Sequence, residues 1–266
     1  MEIISKISRG TKMDQIYIPK NRIGLELGTY VKIIPIEEEI IERPFFYNIK
    51  ELEPVKLELL NKIFNIIKTI TTYENIIITG SFLEKGFDFE DIDVLLIKEE
   101  KIDEKYLKNK IEDKIKIKVH IIKLSNLELI KGLSIDPLYQ MILSKCISKK
   151  RLLYKVKNKI DYKLLDLHLL KSELLPINFD YLTGNEKYYL IRNTISIGLF
   201  LKNKKISKEI ADSEIKKIFK LNNIKEIKDN ILDKNEFLKK YKRIHKRIFN
   251  NIMKGIRDES KQKRYN

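Results

Sequence analysis

The sequence predicts an α+β protein in three parts. Three observations carry this expectation: short runs of Ile, Leu and Val bounded by turn residues in the first half, apolar residues at helical spacing in the second, and a charge balance that differs between the two. The parts are a small N-terminal β-hairpin domain over residues 1–40, an αβ domain with a short mixed sheet over residues 55–156, and a basic helical domain over residues 157–266. At roughly 100–200 residues per domain, a chain of 266 residues can bury a proper core.

The first part reads as short strands with turn punctuation: Ile3 to Ile7, a turn at Arg9-Gly10-Thr11, Gln15 to Ile18, and Tyr30 to Ile34 before Pro35. Residues Glu37 to Glu53 are acidic and marked by Pro44 and Pro54, so they read as a connector. Lys56 to Thr71 places Leu57, Leu59, Leu60, Ile63, Ile66, Ile67 and Ile70 near helical spacing, which predicts an amphipathic helix. Ile76 to Thr79 and Ile92 to Ile97 read as buried strands, and Ile115 to Ile122 as a third with period two. A charged surface helix, Asp103 to Asp113, separates the last two. Beyond Asp136 the pattern is helical: Pro137 to Ser148, Leu164 to Leu174, Glu186 to Leu201, Ser207 to Lys220 and Lys234 to Lys254, with a frayed tail from Asp258.

Hydrophobic residues make up 43% and charged residues 35%, with 6 Pro and 9 Gly, a globular composition. The single cysteine, Cys146, excludes an intrachain disulfide and a Cys-rich zinc module, and points to a reducing cytoplasm. No run of about 18 apolar residues exists, and charges interrupt the N-terminus before a signal core could form, so neither a membrane span nor secretion is expected. Only nine of 54 basic residues are Arg and Ala211 is the one alanine, a Lys, Ile and Asn bias of the kind an AT-rich genome produces. Codon drift would spread positive charge evenly, yet residues 1–50, 51–125 and 126–266 carry +1, −2 and +17. The concentration in the last part favours a surface that faces a polyanion.

Chemistry concentrates at Gly80-Ser81 and, after nine intervening residues, Asp91-Ile92-Asp93, with apolar strands on either side. Residues two apart in a strand share a face, so Asp91 and Asp93 present two carboxylates together while Ile92 packs behind. Such a pair can hold Mg²⁺, whose hard oxygen ligands it supplies, and two such ions activate an attacking hydroxyl and steady a leaving pyrophosphate. A Gly-Ser turn between a strand and a following helix lets backbone N–H groups and a hydroxyl approach a triphosphate.

The pattern resembles the polymerase-beta-like nucleotidyltransferase superfamily, in particular its minimal and archaeal predicted members. The likeness covers about residues 55–156, including Ile142 to Tyr154, which looks like the family's closing helix and short strand. It implies transfer of a nucleoside monophosphate from an NTP to a hydroxyl, with Gly80 and Ser81 on the nucleotide and Asp91 and Asp93 on Mg²⁺ or Mn²⁺. Residues Ile18-Pro19-Lys20 and Leu27-Gly28-Thr29-Tyr30-Val31 are similar to the swapped-hairpin domain of AbrB-type regulators, which implies a homodimer through residues 1–40 and DNA binding as a family trait. The alternative is a hairpin lid or dimerisation element without DNA binding.

Two departures bear on activity. The family's third carboxylate falls at Val119-His120-Ile121, where His120 stands, and Glu90 replaces the usual serine before the first aspartate. Imidazole accepts Mn²⁺ better than Mg²⁺ and can serve as a general base, so His120 has three readings: a catalytic metal or proton-transfer group, a solvent-facing neighbour of Lys118, or the mark of an inactive remnant. Asp88 reads as a turn former and Lys85 as a solvated lysine. His168, His245 and Cys146 read as packing or surface residues, Cys146 within an apolar helix. In the basic half, Lys and Arg interleave with Tyr181, Tyr188, Tyr189, Phe200, Phe237 and Tyr241, which suits docking of RNA or tRNA through its phosphates. Helix faces packed inward with Lys covering the rest is the competing reading. The sequence thus leaves two functions open: a metal-dependent nucleotidyltransferase, or a nucleic-acid-binding regulator on a degenerate nucleotidyltransferase fold.

Overall fold

A computed structural model describes residues 5, 7–18, 20, 24, 26–33, 43–154 and 156–265, with backbone only at 259 and 261–265. The fold is mixed α+β and divides into two compact units, Met1–Glu42 and Arg43–Asn266. In the first unit β1 (Ile7–Ser8) pairs antiparallel with β2 (Gln15–Ile16), and Ser5 Oγ donates to the Tyr17 carbonyl at 2.7 Å. Residues 30–33, expected to open a third strand, carry none, and Ile3, Ile4, Pro19 and Ile34 lie outside the described residues.

The second unit is built on five strands: β3 (Phe45–Tyr47), β4 (Asn75–Thr79), β5 (Asp91–Ile97), β6 (Lys118–Leu124) and β7 (Cys146–Ser148), in the spatial order β3-β7-β4-β5-β6. β4 runs antiparallel to β5, and β5 runs parallel to β6. Parallel neighbours need a crossover, and α2 (Glu104–Ile115) supplies it. Alternate residues of β5 serve opposite layers. Ile92, Val94 and Leu96 pack with Ile76 and Ile78 beneath α1 (Pro54–Ile70) and α2, while Leu95 and Ile97 join Ile77, Leu124, Leu129 and Leu133 on the other face. Complete burial of each such side chain contributes about 1.5–3 kcal/mol, which fixes the strand register. α3 (Asn126–Ile135) covers the second face, and α4 (Pro137–Leu143) leads into β7.

A helical layer follows: α5 (Tyr162–Ser172), α6 (Leu174–Ile177), α7 (Gly184–Leu201), α8 (Lys208–Phe219), α9 (Lys225–Lys228) and α10 (Lys234–Tyr265). Its core gathers Leu165, Leu169, Ile191, Phe200, Ile215, Tyr241, Ile248 and Ile252. Helix starts are set by polar caps: Asp103, Asp136, Asp161 and Ser207 each accept a backbone N–H, and Ser125 with Glu128 and Thr183 with Glu186 form reciprocal capping boxes. Among the described residues no helix is long and apolar enough to cross a membrane.

The structure corrects several expectations. The acidic connector contains strand β3, whose Phe46 pairs with Ile147. The helix expected over Pro137 to Ser148 ends at Leu143, and Cys146 lies in β7, because Ile147 pairs with Ile78 on one side and Phe46 on the other. Residues Ile115 and Lys116 end α2 rather than open β6, with Lys116 in the left-handed conformation as the cap. The tail expected to fray continues α10 to Tyr265.

Candidate active site

β4 ends at Thr79 directly opposite Asp93 of β5, and His120 of β6 stands opposite Asp93 on its other side. Asp91 and Asp93 lie on the sheet face that buries Leu95 and Ile97 further along, at its uncovered end. Thr79 is held there by its hydroxyl, which donates to the Ile142 carbonyl at 3.0 Å. The chain then turns at Gly80, whose φ of +86° favours glycine. A Cβ at Gly80 would sit 2.1 Å from Asp93 Oδ2, so glycine is required both by backbone conformation and by the carboxylate pressed against it. Ser81, exposed, follows at the start of a short 3₁₀ turn over Ser81–Leu83.

The side chains brought together are therefore Asp91, Asp93 and His120 beside the Gly80 backbone, with Ser81 next in the chain. Burial raises the Asp93 carboxyl above the usual aspartate range, the negative charge of Asp91 adds to this, and His120 opposes it. His120 Nδ1 lies 3.3 Å from Asp93 Oδ1, and the ring is 61% exposed, so the histidine both faces solvent and borders the carboxylate pair. One expectation fails: no α-helix follows Gly80-Ser81, and three residues of 3₁₀ turn supply no aligned dipole for an anion. Phosphate contacts here would come from the turn's backbone and the Ser81 hydroxyl.

The residues fit a divalent cation in part. Two carboxylates on one face, mutually repelling, with Asp93 packed against the Gly80 backbone, form a hard-oxygen donor set. Among the described residues, no three His, Cys, Asp or Glu side chains are gathered as a complete ligand set. A cation held at Asp91 and Asp93 would take its remaining ligands from water or a bound phosphate.

Two groups that sequence reasoning missed support the turn. Lys56 is fully buried in α1: its Nζ donates to the Glu84 carbonyl at 2.5 Å, pairs with Glu53 at 3.2 Å, and lies 5.4–5.8 Å from the rings of Phe82, Phe87 and Phe89. The signal was its register, since Lys56 shares the stripe of Leu60, Ile63 and Ile67. Glu84 ties the turn to the segment before β7 through Lys145 at 3.1 Å and to α8 through Lys208 at 2.5 Å. These cations hold its carboxyl below the usual range against the opposing effect of burial.

The remaining candidates fall outside the site. Lys85, Asp88 and Glu90 are exposed. His168 is not solitary, for its Nε2 lies 3.1 Å from Asp136 Oδ2 at the start of α4. His245 Nε2 approaches the Leu169 carbonyl at 3.2 Å. Cys146 is buried and its thiol is pushed up to about 12. The aromatic interleaving of the basic half is not a stacking surface, because Tyr188, Phe200, Phe237 and Tyr241 are core residues, leaving Tyr181 and Tyr189 exposed. No protein-family model, curated protein or solved structure matches the chain.

Proposed function

We propose that the protein is a metal-dependent nucleotidyltransferase that transfers a nucleoside monophosphate from an NTP to a hydroxyl, with RNA as the acceptor class. The observation that carries this reading is the approach of Gly80 to Asp93, which joins a phosphate-compatible turn and a carboxylate pair in one site. Asp91 and Asp93 would hold Mg²⁺ or Mn²⁺, which supplies charge neutralisation of the triphosphate when bound. The Gly80-Ser81 backbone and the Ser81 hydroxyl would orient the phosphates. The acceptor oxygen forms its bond to the α-phosphorus as the bond to the bridging oxygen breaks, pyrophosphate departs, and the acceptor proton passes to a nearby base or water. His120, exposed beside Asp93, would take that proton. A reducing cytoplasmic setting suits the single buried thiol.

The likeness to polymerase-beta-like nucleotidyltransferases supports the same assignment, and His120 in the third carboxylate's slot favours the second reading, a degenerate fold that binds without turnover. Incubation of wild type and Asp91→Asn/Asp93→Asn with each α-labelled NTP, Mg²⁺ or Mn²⁺ and cellular RNA decides between them. Label in RNA from wild type alone is the expected result. Label nowhere, with RNA still retained, would establish the second reading in its place.

A further inference from the structure

We propose that the exposed face of α10 is a docking rail for the phosphate backbone of duplex RNA. The inference rests on the RNA part of the reading above, and not on turnover. α10 has two faces. Phe237, Tyr241, Ile244, Ile248 and Ile252 are buried in the helical core, whereas Lys239, Arg243, Lys246, Arg247, Lys254 and Arg257 are exposed. At about 100° per residue these six fall within a stripe about 100° wide, and at 1.5 Å rise per residue it runs about 27 Å. Residues 237–257 hold eight basic and no acidic side chains. None of the six forms an ion pair with a described residue, unlike Lys234 and Lys240 nearer the helix start, which pair with Asp180 and Glu236.

Codon drift does not account for the stripe. It enriches Lys, yet four of the nine Arg in the chain lie within residues 234–265. Arg offers a planar fork that meets phosphate oxygens in pairs. The partner's class follows from what the stripe lacks. A single-strand site stacks bases on exposed aromatics, and the ring nearest the stripe, Phe249, lies off its edge. The row holds six cations and one exposed amide, Asn250, between Arg247 and Lys254, a make-up that suits phosphate oxygens more than base edges, and the RNA acceptor of the reading above makes the partner an A-form duplex, whose major groove side chains do not enter. A membrane-surface helix needs an exposed apolar face, and here that face is the core.

The test measures binding of the full chain to a labelled RNA duplex, the matching DNA duplex, an RNA single strand and anionic vesicles, across about 50 to 200 mM salt. Wild type is expected to prefer the RNA duplex and to lose affinity by orders of magnitude over that range if six phosphates are contacted. Arg243→Gln/Arg247→Gln should reduce the log–log salt slope by roughly two and weaken binding on the order of tenfold to a hundredfold. Arg243→Lys/Arg247→Lys should keep the slope, and Lys105→Gln/Lys110→Gln on α2 should leave it unchanged. A flat salt response, equal loss in the α2 variant, tighter binding to DNA or single strands, or binding to vesicles alone would overturn the proposal. Binding is measured without NTP or divalent metal, so failure of transfer and failure of docking are read separately.

Discussion

The end of the sheet at Gly80, Asp91 and Asp93 and the outer face of α10 are both charged surfaces, built on opposite physics. At the sheet end Asp93 is crowded against the Gly80 backbone and partly removed from water, and burial together with the neighbouring charge of Asp91 raises its carboxyl. On α10 the charges are spread along one exposed row, where water and salt screen every one of them. The first arrangement gives a localised site that a single substitution can destroy. The second gives a surface whose strength is a sum over many weak contacts.

The sharpest break should come at Lys56. Lys56→Ala removes a fully buried side chain from between three Phe rings and strips the Glu84 carbonyl of its donor, with an expected cost of about 3 kcal/mol in chemical denaturation. Lys56→Met keeps most of the packing and should cost less. Equal losses would mean that the whole cost lies in the lost amine and its partners, and none in the packing. Gly80→Ala follows, at about 1–3 kcal/mol, since the new Cβ meets Asp93 and the backbone is left-handed. Its transfer activity should fall further than its stability does.

Glu84→Gln should cost no more than about 1 kcal/mol, since the carboxylate is partly exposed. Its pH dependence is diagnostic. The folded-state carboxyl lies below 4.5, so its pairing with Lys145 and Lys208 contributes fully above that value and is lost as pH falls through the folded-state pKa. Thermal unfolding between pH 6 and 3 should therefore show a steeper acid loss in wild type than in the variant, and parallel curves would refute the bridge. Smallest of all is Cys146. Burial pushes its thiol to about 12, so maleimide at pH 8 should leave the native protein unlabelled and react only in denaturant.

Local pattern made the centre of the fold legible. Ile76 to Thr79 and Ile92 to Ile97 could be read because β-branched runs that short leave few alternatives, and the period of two placed Asp91 and Asp93 together. What was not legible depends on distant pairing. Cys146–Ser148 follows a helix with no Gly or Pro to end it, and becomes a strand because β3 and β4 lie open on either side. Phe45–Tyr47 was hidden by acidic and Pro neighbours. Lys56 was lost among 45 lysines, although its place on an apolar stripe distinguished it. The aromatics of α10 misled for the same reason, since interleaving in sequence becomes separation onto two faces once the helix forms.

The most direct test of the two-region account is Mn²⁺–NTP binding, followed by the loss of the free-ion EPR signal, in wild type, Asp93→Asn and Arg243→Gln/Arg247→Gln. The account predicts that wild type and the α10 variant bind alike and that Asp93→Asn binds at least tenfold more weakly. Binding lost in the α10 variant and kept in Asp93→Asn, or absent from all three, would contradict it.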